Sequence, residues 1–240
     1  MLPERVQDSY SLRCAPQVHG PVREALSYIR GIVEREIRSA TDNPLIITDG
    51  DKRRAISGGH FHGQYIAQTM DLLAMVMTDL GSIAERRIAR LIDPVMSYGL
   101  PRNLASGTPG LNTGYATVQC SMSALVMENR TLSMPGSVDT IPGKGNAEDH
   151  VSNSMWCAKK AAQVVENTCS IISTEILMAA QAVSMTENIL EDYPPAKATS
   201  AIINTIRKQI PARLDGDVWY ADDMAGIVEM VIQKQFLNME

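Results

Sequence analysis

The sequence predicts an all-α fold, a bundle of long helices with one small β-hairpin near residues 45–57. Two observations carry this. Residues 63–92 repeat apolar side chains at Ile66, Met70, Leu73, Met77, Leu80, Ala84, Ile88 and Leu91, near-heptad spacing that marks a long helix in a bundle. The composition agrees: 45% hydrophobic residues, only 5% aromatic, and 14 methionines suit packed helices better than a β-sandwich. The whole chain of 240 residues reads as a single helical unit.

The opening segment, Gln7-Asp8-Ser9-Tyr10-Ser11-Leu12-Arg13-Cys14-Ala15-Pro16-Gln17-Val18-His19-Gly20, has Gly and Pro breakers and little hydrophobic period, so it is expected to be irregular. Gln7, Tyr10 and Arg13 are spaced by three and converge on one side of a turn-like backbone, where Arg13 offers a planar fork suited to a carboxylate. A first helix is predicted from about Pro21 to Ala40, with Leu26, Ile29, Val33 and Ile37 as its apolar face. Thr41-Asp42-Asn43-Pro44 ends it. Leu45 to Thr48 and Arg54 to Ser57 form the hairpin around Asp49-Gly50-Asp51.

Phe61, one of two phenylalanines, stands between His60 and His62 in a glycine-flanked turn. Together with His150 these histidines raise a metal site, but no histidine lies four residues from another and no acid is close in sequence, so a metal site is not expected there. The near-heptad helix follows, widened by Leu72, Val76 and Ile83, a breadth that suits subunit contacts. A shorter helix is predicted at about Thr113 to Leu132, and the longest from about Asn146 to Met185, with a stripe at Val151, Met155, Ala158, Ala162, Val165, Cys169, Ile172, Ile176 and Ala179. Helices from about Ala196 to Gln209 and Asp223 to Leu237 complete the chain. Placed at the start of the longest helix, Glu148 and Asp149 would face unpaired N–H groups and a dipole that favours negative charge. They are either ordinary first-turn residues or carboxylates at the mouth of a pocket.

A net charge of −5 without a basic run argues against nucleic acid or an acidic membrane surface as partner. Cys14, Cys120, Cys157 and Cys169 lack C-x-x-C spacing, which points to a reducing, cytoplasmic setting rather than a zinc or disulfide framework. No stretch reads as a signal peptide or transmembrane span. The sequence enters a dense polar segment almost at once, as if it were half of a larger protein.

Six strings in order are familiar together: Gln7-Asp8-Ser9-Tyr10-Ser11-Leu12-Arg13, Thr41-Asp42-Asn43-Pro44-Leu45, Ser57-Gly58-Gly59-His60-Phe61-His62, Glu85-Arg86-Arg87-Ile88, Gly110-Leu111-Asn112-Thr113-Gly114 and Asn146-Ala147-Glu148-Asp149-His150-Val151-Ser152. They resemble the C-terminal half of the aromatic amino acid ammonia-lyases, histidine ammonia-lyase most closely. The resemblance runs from residue 6 to about residue 190. It implies a histidase and phenylalanine ammonia-lyase type of long-helix bundle, tetramer assembly, and elimination of ammonia from an aromatic amino acid. It also implies a methylidene-imidazolone electrophile, cyclised from an Ala-Ser-Gly in an N-terminal half that this chain lacks. An N-terminal-half lyase chain is therefore an expected partner, beside the amino-acid substrate.

By the resemblance, Arg13 clamps the substrate carboxylate, Tyr10 assists beside the prosthetic group, Gln7 hydrogen-bonds substrate or cofactor surroundings, and Phe61 is an aromatic wall. Glu148 holds the position that is glutamate in histidases and glutamine in phenylalanine and tyrosine lyases, which favours L-histidine going to urocanate. Ala147 stands where the resemblance leads one to expect glutamine, and Asn153 where methionine is usual. Ala105-Ser106-Gly107 has the prosthetic triplet's composition in the wrong place, followed by Thr108-Pro109 rather than Asp-Leu. Cyclisation at Ser106 is not expected. The alternatives are a tyrosine or phenylalanine ammonia-lyase or aminomutase portion, or a non-catalytic helical scaffold subunit.

Overall fold

The computed structural model describes residues 6–108, 110–186 and 193–237. In chain order the elements are α1 (Tyr10–Arg13), α2 (Ala15–Ile37), β1 (Leu45–Asp49), β2 (Lys52–Ile56), α3 (Gln64–Leu91), α4 (Ala116–Leu132), α5 (Ser154–Met185), α6 (Lys197–Arg207) and α7 (Tyr220–Ile232). Among the described residues the fold is predominantly helical with one two-stranded antiparallel sheet. The chain divides into two compact units: Met1–Pro16, Leu80–Glu128 and Glu166–Glu240 form one, Gln17–Asp79 and Asn129–Val165 the other.

In the first unit Ile88, Leu104, Tyr115, Met122, Leu177 and Ile227 belong to one buried apolar cluster. Several polar groups of this unit are paired. Glu85, almost fully buried, accepts from Gln119 Nε2 at 2.8 Å and Ser123 Oγ at 2.9 Å. Arg87 forks onto the Glu175 carboxylate, a bidentate geometry that only a guanidinium offers. The segment after α6 is knotted to residues 103–114. The Asp217 carboxylate accepts the N–H groups of Thr113 (2.6 Å) and Gly114 (2.8 Å), and Asn112 Oδ1 accepts from Asp217 N. Arg213 grips Asp223 through Nε (2.9 Å) and Nη2 (2.6 Å). Gly114 has φ +62, and a Cβ there would lie 2.8 Å from both Ala105 Cα and Ala105 N. Gly114→Ala therefore combines backbone strain with overpacking, and should lower the unfolding free energy by at least about 2 kcal/mol in a urea titration.

In the second unit a smaller cluster joins Ala74, Ala161 and Val164 with Met70, Leu73, Met77 and Leu132. The hairpin pairs Leu45 with Ile56 and Asp49 with Lys52, so its loop is Gly50-Asp51, with Gly50 at φ +60. This matches the glycine-first turn that two-residue hairpins prefer.

Several expectations change. The stretch from Tyr10 is helical rather than irregular, and α2 runs through both Gly20 and Pro21. Proline's fixed φ is compatible with a helix and removes one hydrogen bond, and the buried side chains of Val22, Ile29 and Ile32 hold the helix across it. Leu26 and Ile37, assigned to the apolar face, are exposed at 40% and 77%.

The longest helix begins at Ser154, not Asn146. Asn146 and Asn153 both adopt left-handed φ, +58 and +55, so the stretch between them is an excursion rather than a first turn. The buried face of α5 also differs from the stripe read in the sequence. Cys157, Lys160, Ala161, Val164, Thr168 and Ile171 are buried, whereas Met155 is 73% exposed. Buried polar residues made the true inward face look hydrophilic. By length and a mean hydropathy of 1.2, α5 is long and apolar enough to cross a membrane, but half of that window is buried within the protein, as in a core helix.

Candidate functional site

A groove of about 890 Å³ opens in the second unit, lined by Phe61, His62, residues 147–156 and Lys159. Its floor is an excursion of the chain between α4 and α5. Val151 N donates to Thr140 Oγ1 at 2.6 Å, and that hydroxyl lies 3.1 Å from Val151 O, so the two residues close a neck. Beyond the neck, Gly143 N donates to Glu148 O at 2.7 Å. Gly143 leaves room for the Glu148 side chain: a Cβ there would stand 3.0 Å from Glu148 Oε2. Gly145 at φ +62 and Asn146 complete the reversal that brings residue 148 back over residue 143.

Below the neck the excursion is pinned to α3 and α5. Asp71 Oδ2 accepts from Gly136 N (2.9 Å) and Ser137 N (2.8 Å), and Gln64 Nε2 donates to Ser137 O at 3.0 Å. Lys160, 5% exposed, pairs with Asp71 at 3.3 Å and donates to Met134 O. Burial alone would raise the pKa of Asp71, but the Ser137 hydrogen bonds and the Lys160 charge outweigh it and hold the carboxyl below its ordinary value. Burial and the same carboxylate push the Cys157 thiol up. Asn153 Nδ2 donates to Gly136 O at 3.2 Å and to Asp139 O. Asn153 thus adopts a left-handed backbone, which asparagine tolerates, and ties the two ends of the excursion together.

The predicted site residues fall into two sets. Phe61 and Glu148 line the same groove, with Phe61 56% exposed and Ala147 beside it. Because α5 starts later, Glu148 is not in a helical first turn. What positions it is the excursion. Tyr10 and Arg13 lie together in the other unit, the Arg13 guanidinium 4.5 Å from the Tyr10 ring centre and its Nε donating to Asp8 O at 3.0 Å. Tyr10 borders a separate cavity of about 480 Å³ with Ser9, Ser11, Arg86, Ala89, Arg90, Asp93 and Met96. Gln7 is exposed in the same unit.

Sequence reasoning missed two groove residues and did not foresee how a third, His150, is placed. Trp156 and Lys159 line the wall, and His150 stacks at 5.2 Å from His62. Trp156, one of only two tryptophans, was the available signal.

The only prosthetic precursor triplet in the chain does not fit that role. Ser106 Oγ donates to Arg213 O at 2.9 Å and accepts from Gly216 N at 3.1 Å, so its hydroxyl fastens two loops. A Cβ on Gly107 would meet Asn112 Nδ2 at 2.8 Å, so the backbone there is already crowded.

Long helices, a small hairpin and an acid-bearing excursion before the longest helix define a helical-bundle architecture that known proteins share. The sequence profile of the aromatic amino acid lyases matches residues 2–208. A histidine ammonia-lyase of Stigmatella aurantiaca is 43% identical over 234 residues, which is 98% of this chain and 44% of that protein. The crystal structure of histidine ammonia-lyase from Trypanosoma cruzi superposes with a TM-score of 0.89 at 37% identity, over 97% of this chain and 44% of that one. Tyrosine aminomutase from Streptomyces globisporus gives a TM-score of 0.89 at 38% identity, over 100% of this chain and 44% of its own. The chain belongs to the aromatic amino acid lyase family. It spans less than half the length of these relatives.

Proposed function

We propose that this chain is the C-terminal portion of an ammonia-lyase that converts L-histidine to urocanate, completed by an N-terminal-half chain in a tetramer-type assembly. The observation that carries the reading is Glu148, held by a pinned excursion in a groove walled by Phe61 and Trp156. An aromatic ring bearing ionisable nitrogens fits such a groove, since the walls take the ring's faces and the carboxylate takes its N–H. In an assembly whose active sites draw on more than one subunit, Arg13 clamps the substrate carboxylate, with Tyr10 and Gln7 beside the reacting centre, and Glu148 of another copy holds the imidazole or ammonium and assists proton transfer. The methylidene-imidazolone, carried by the companion chain, supplies the electrophile needed to remove a proton from an unactivated carbon. The similarity to tyrosine aminomutase supports a second reading, a portion of an enzyme acting on tyrosine by related chemistry.

The test mixes this chain with the N-terminal half of a histidine ammonia-lyase that it resembles. Histidine, tyrosine and phenylalanine are each added, and near-ultraviolet absorbance is followed for a conjugated acrylate. The expected result is turnover of histidine in the mixture and in neither chain alone, with kcat/KM falling by roughly 10²-fold or more on Arg13→Ala. Turnover by this chain alone would give Ser106 the role denied to it above. A stable complex that turns over none of the three amino acids would overturn the proposal in favour of a scaffold subunit.

A further inference from the structure

We propose that His62 and His150 form a two-imidazole site for a borderline divalent transition metal, Zn²⁺, Ni²⁺ or Cu²⁺, on the rim of the Glu148 groove. The two side chains come from distant parts of the second unit, the turn before α3 and the excursion before α5. His62 Nε2 and His150 Nδ1 stand 3.2 Å apart, with ring centres at 5.2 Å and planes inclined by 31°. Two nitrogens 3.2 Å apart, each about 2.0–2.1 Å from one ion, subtend roughly 100–105° at it, close to a tetrahedral angle. The separation that serves a hydrogen bond between the rings therefore also serves chelation. Imidazole is the ligand that zinc, copper and nickel favour, while magnesium is held by oxygen donors.

Two interactions must be given up, the hydrogen bond between the rings and one to a main-chain carbonyl. His62 Nε2 lies 2.9 Å from His150 O and, as an N–H, donates to it; metal binding replaces that proton. His150 is exposed, so water can take over its freed carbonyl, and the exchange is inexpensive. The groove's other charged groups are Glu148, Asp149 and Lys159, a net negative setting that attracts a cation. The groove is open, so water completes the coordination sphere. An ion here ties the Phe61–His62 turn to the Glu148 excursion and occupies the space between them. Binding does not depend on the lyase reading above, so either can fail alone.

Calorimetric titration of the tag-free chain with NiCl₂ and ZnCl₂ tests the proposal, with MgCl₂ as control. The expected result is saturable one-to-one binding of nickel and zinc and none of magnesium. Affinity should fall about 10–100-fold in both H62Q and H150Q, at least the loss typical of removing a second-shell partner. H60Q, altered on the same turn but outside the pair, should bind as the parent does. Circular dichroism checks that each variant keeps its helix content. A second readout needs no substitution: electron paramagnetic resonance of the Cu²⁺ form should show two equatorial imidazole nitrogens. Absence of saturable binding overturns the proposal. So does parental affinity in H62Q or H150Q, an equal loss in H60Q, or a copper spectrum with fewer than two imidazoles.

Discussion

Replacing Asp71 by alanine should lower the unfolding free energy by about 3–5 kcal/mol, the range for breaking a buried pair by removing one partner. The substitution strands two kinds of group at once. Lys160, 5% exposed, loses the carboxylate it pairs with, and Gly136 N and Ser137 N lose their acceptor. Thermal or urea unfolding measures the loss, and amide exchange should show Gly136 and Ser137 losing protection ahead of the α5 core. The double variant D71L/K160M should recover much of the stability, because two apolar groups carry no desolvation debt. If the double variant is as unstable as Asp71→Ala, the pair's charges are not what Asp71 contributes. The pH dependence follows from the direction of the shift. Asp71 is held below the ordinary carboxylate value, so its contribution is complete above the unfolded-state pKa of about 3.9 and disappears as pH falls through the lower folded value. Asp71→Asn should flatten that acid limb relative to the parent.

The parts of this fold that the sequence revealed are those governed by local period. Helix α3 was read as Gly63 to Ile92 and runs Gln64–Leu91, because its stripe is apolar throughout and bounded by Gly63 and Asp93-Pro94. The hairpin was legible from Asp49-Gly50-Asp51 flanked by β-branched residues. What misled were residues whose partners are remote. Residues 146–153 have the composition of a helix start, yet Thr140 and Val151, and Asn153 with Gly136, take up the polar groups that a first turn would have used. On α5 the inward face carries Lys160, Asn167, Thr168, Ser173, Thr174 and Gln181, and several are satisfied by partners that no periodicity can show. The candidate residues divide in the same way. Tyr10 and Arg13 are three residues apart and do meet, whereas nothing local in the sequence places Phe61 and Glu148 on one groove, since tertiary folding alone brings those two strings together.

Converting Glu148 to glutamine in the assembled lyase should cut kcat/KM for histidine by about 10²–10⁴-fold, the usual contribution of a positioned acid or base. Stability should hardly change. The contact that fixes residue 148 is its carbonyl with Gly143 N, a main-chain bond that glutamine keeps, and the side chain is isosteric above Gly143. Unchanged unfolding with collapsed turnover would therefore assign the loss to the carboxylate itself. The same variant separates the two substrate readings. A glutamine cannot balance the charge of an imidazolium or ammonium, but its amide sits comfortably against an uncharged aromatic ring. Histidine turnover should fall while any tyrosine or phenylalanine turnover holds or rises. If tyrosine is instead the parent's best substrate and E148Q leaves it untouched, the aminomutase-like reading gains, and Glu148 is a wall of the groove rather than part of its chemistry. If histidine turnover survives E148Q at the parental rate, neither the histidase reading nor the role given to Glu148 stands, because the one carboxylate that the excursion carries back over Gly143 would then do nothing that an amide cannot.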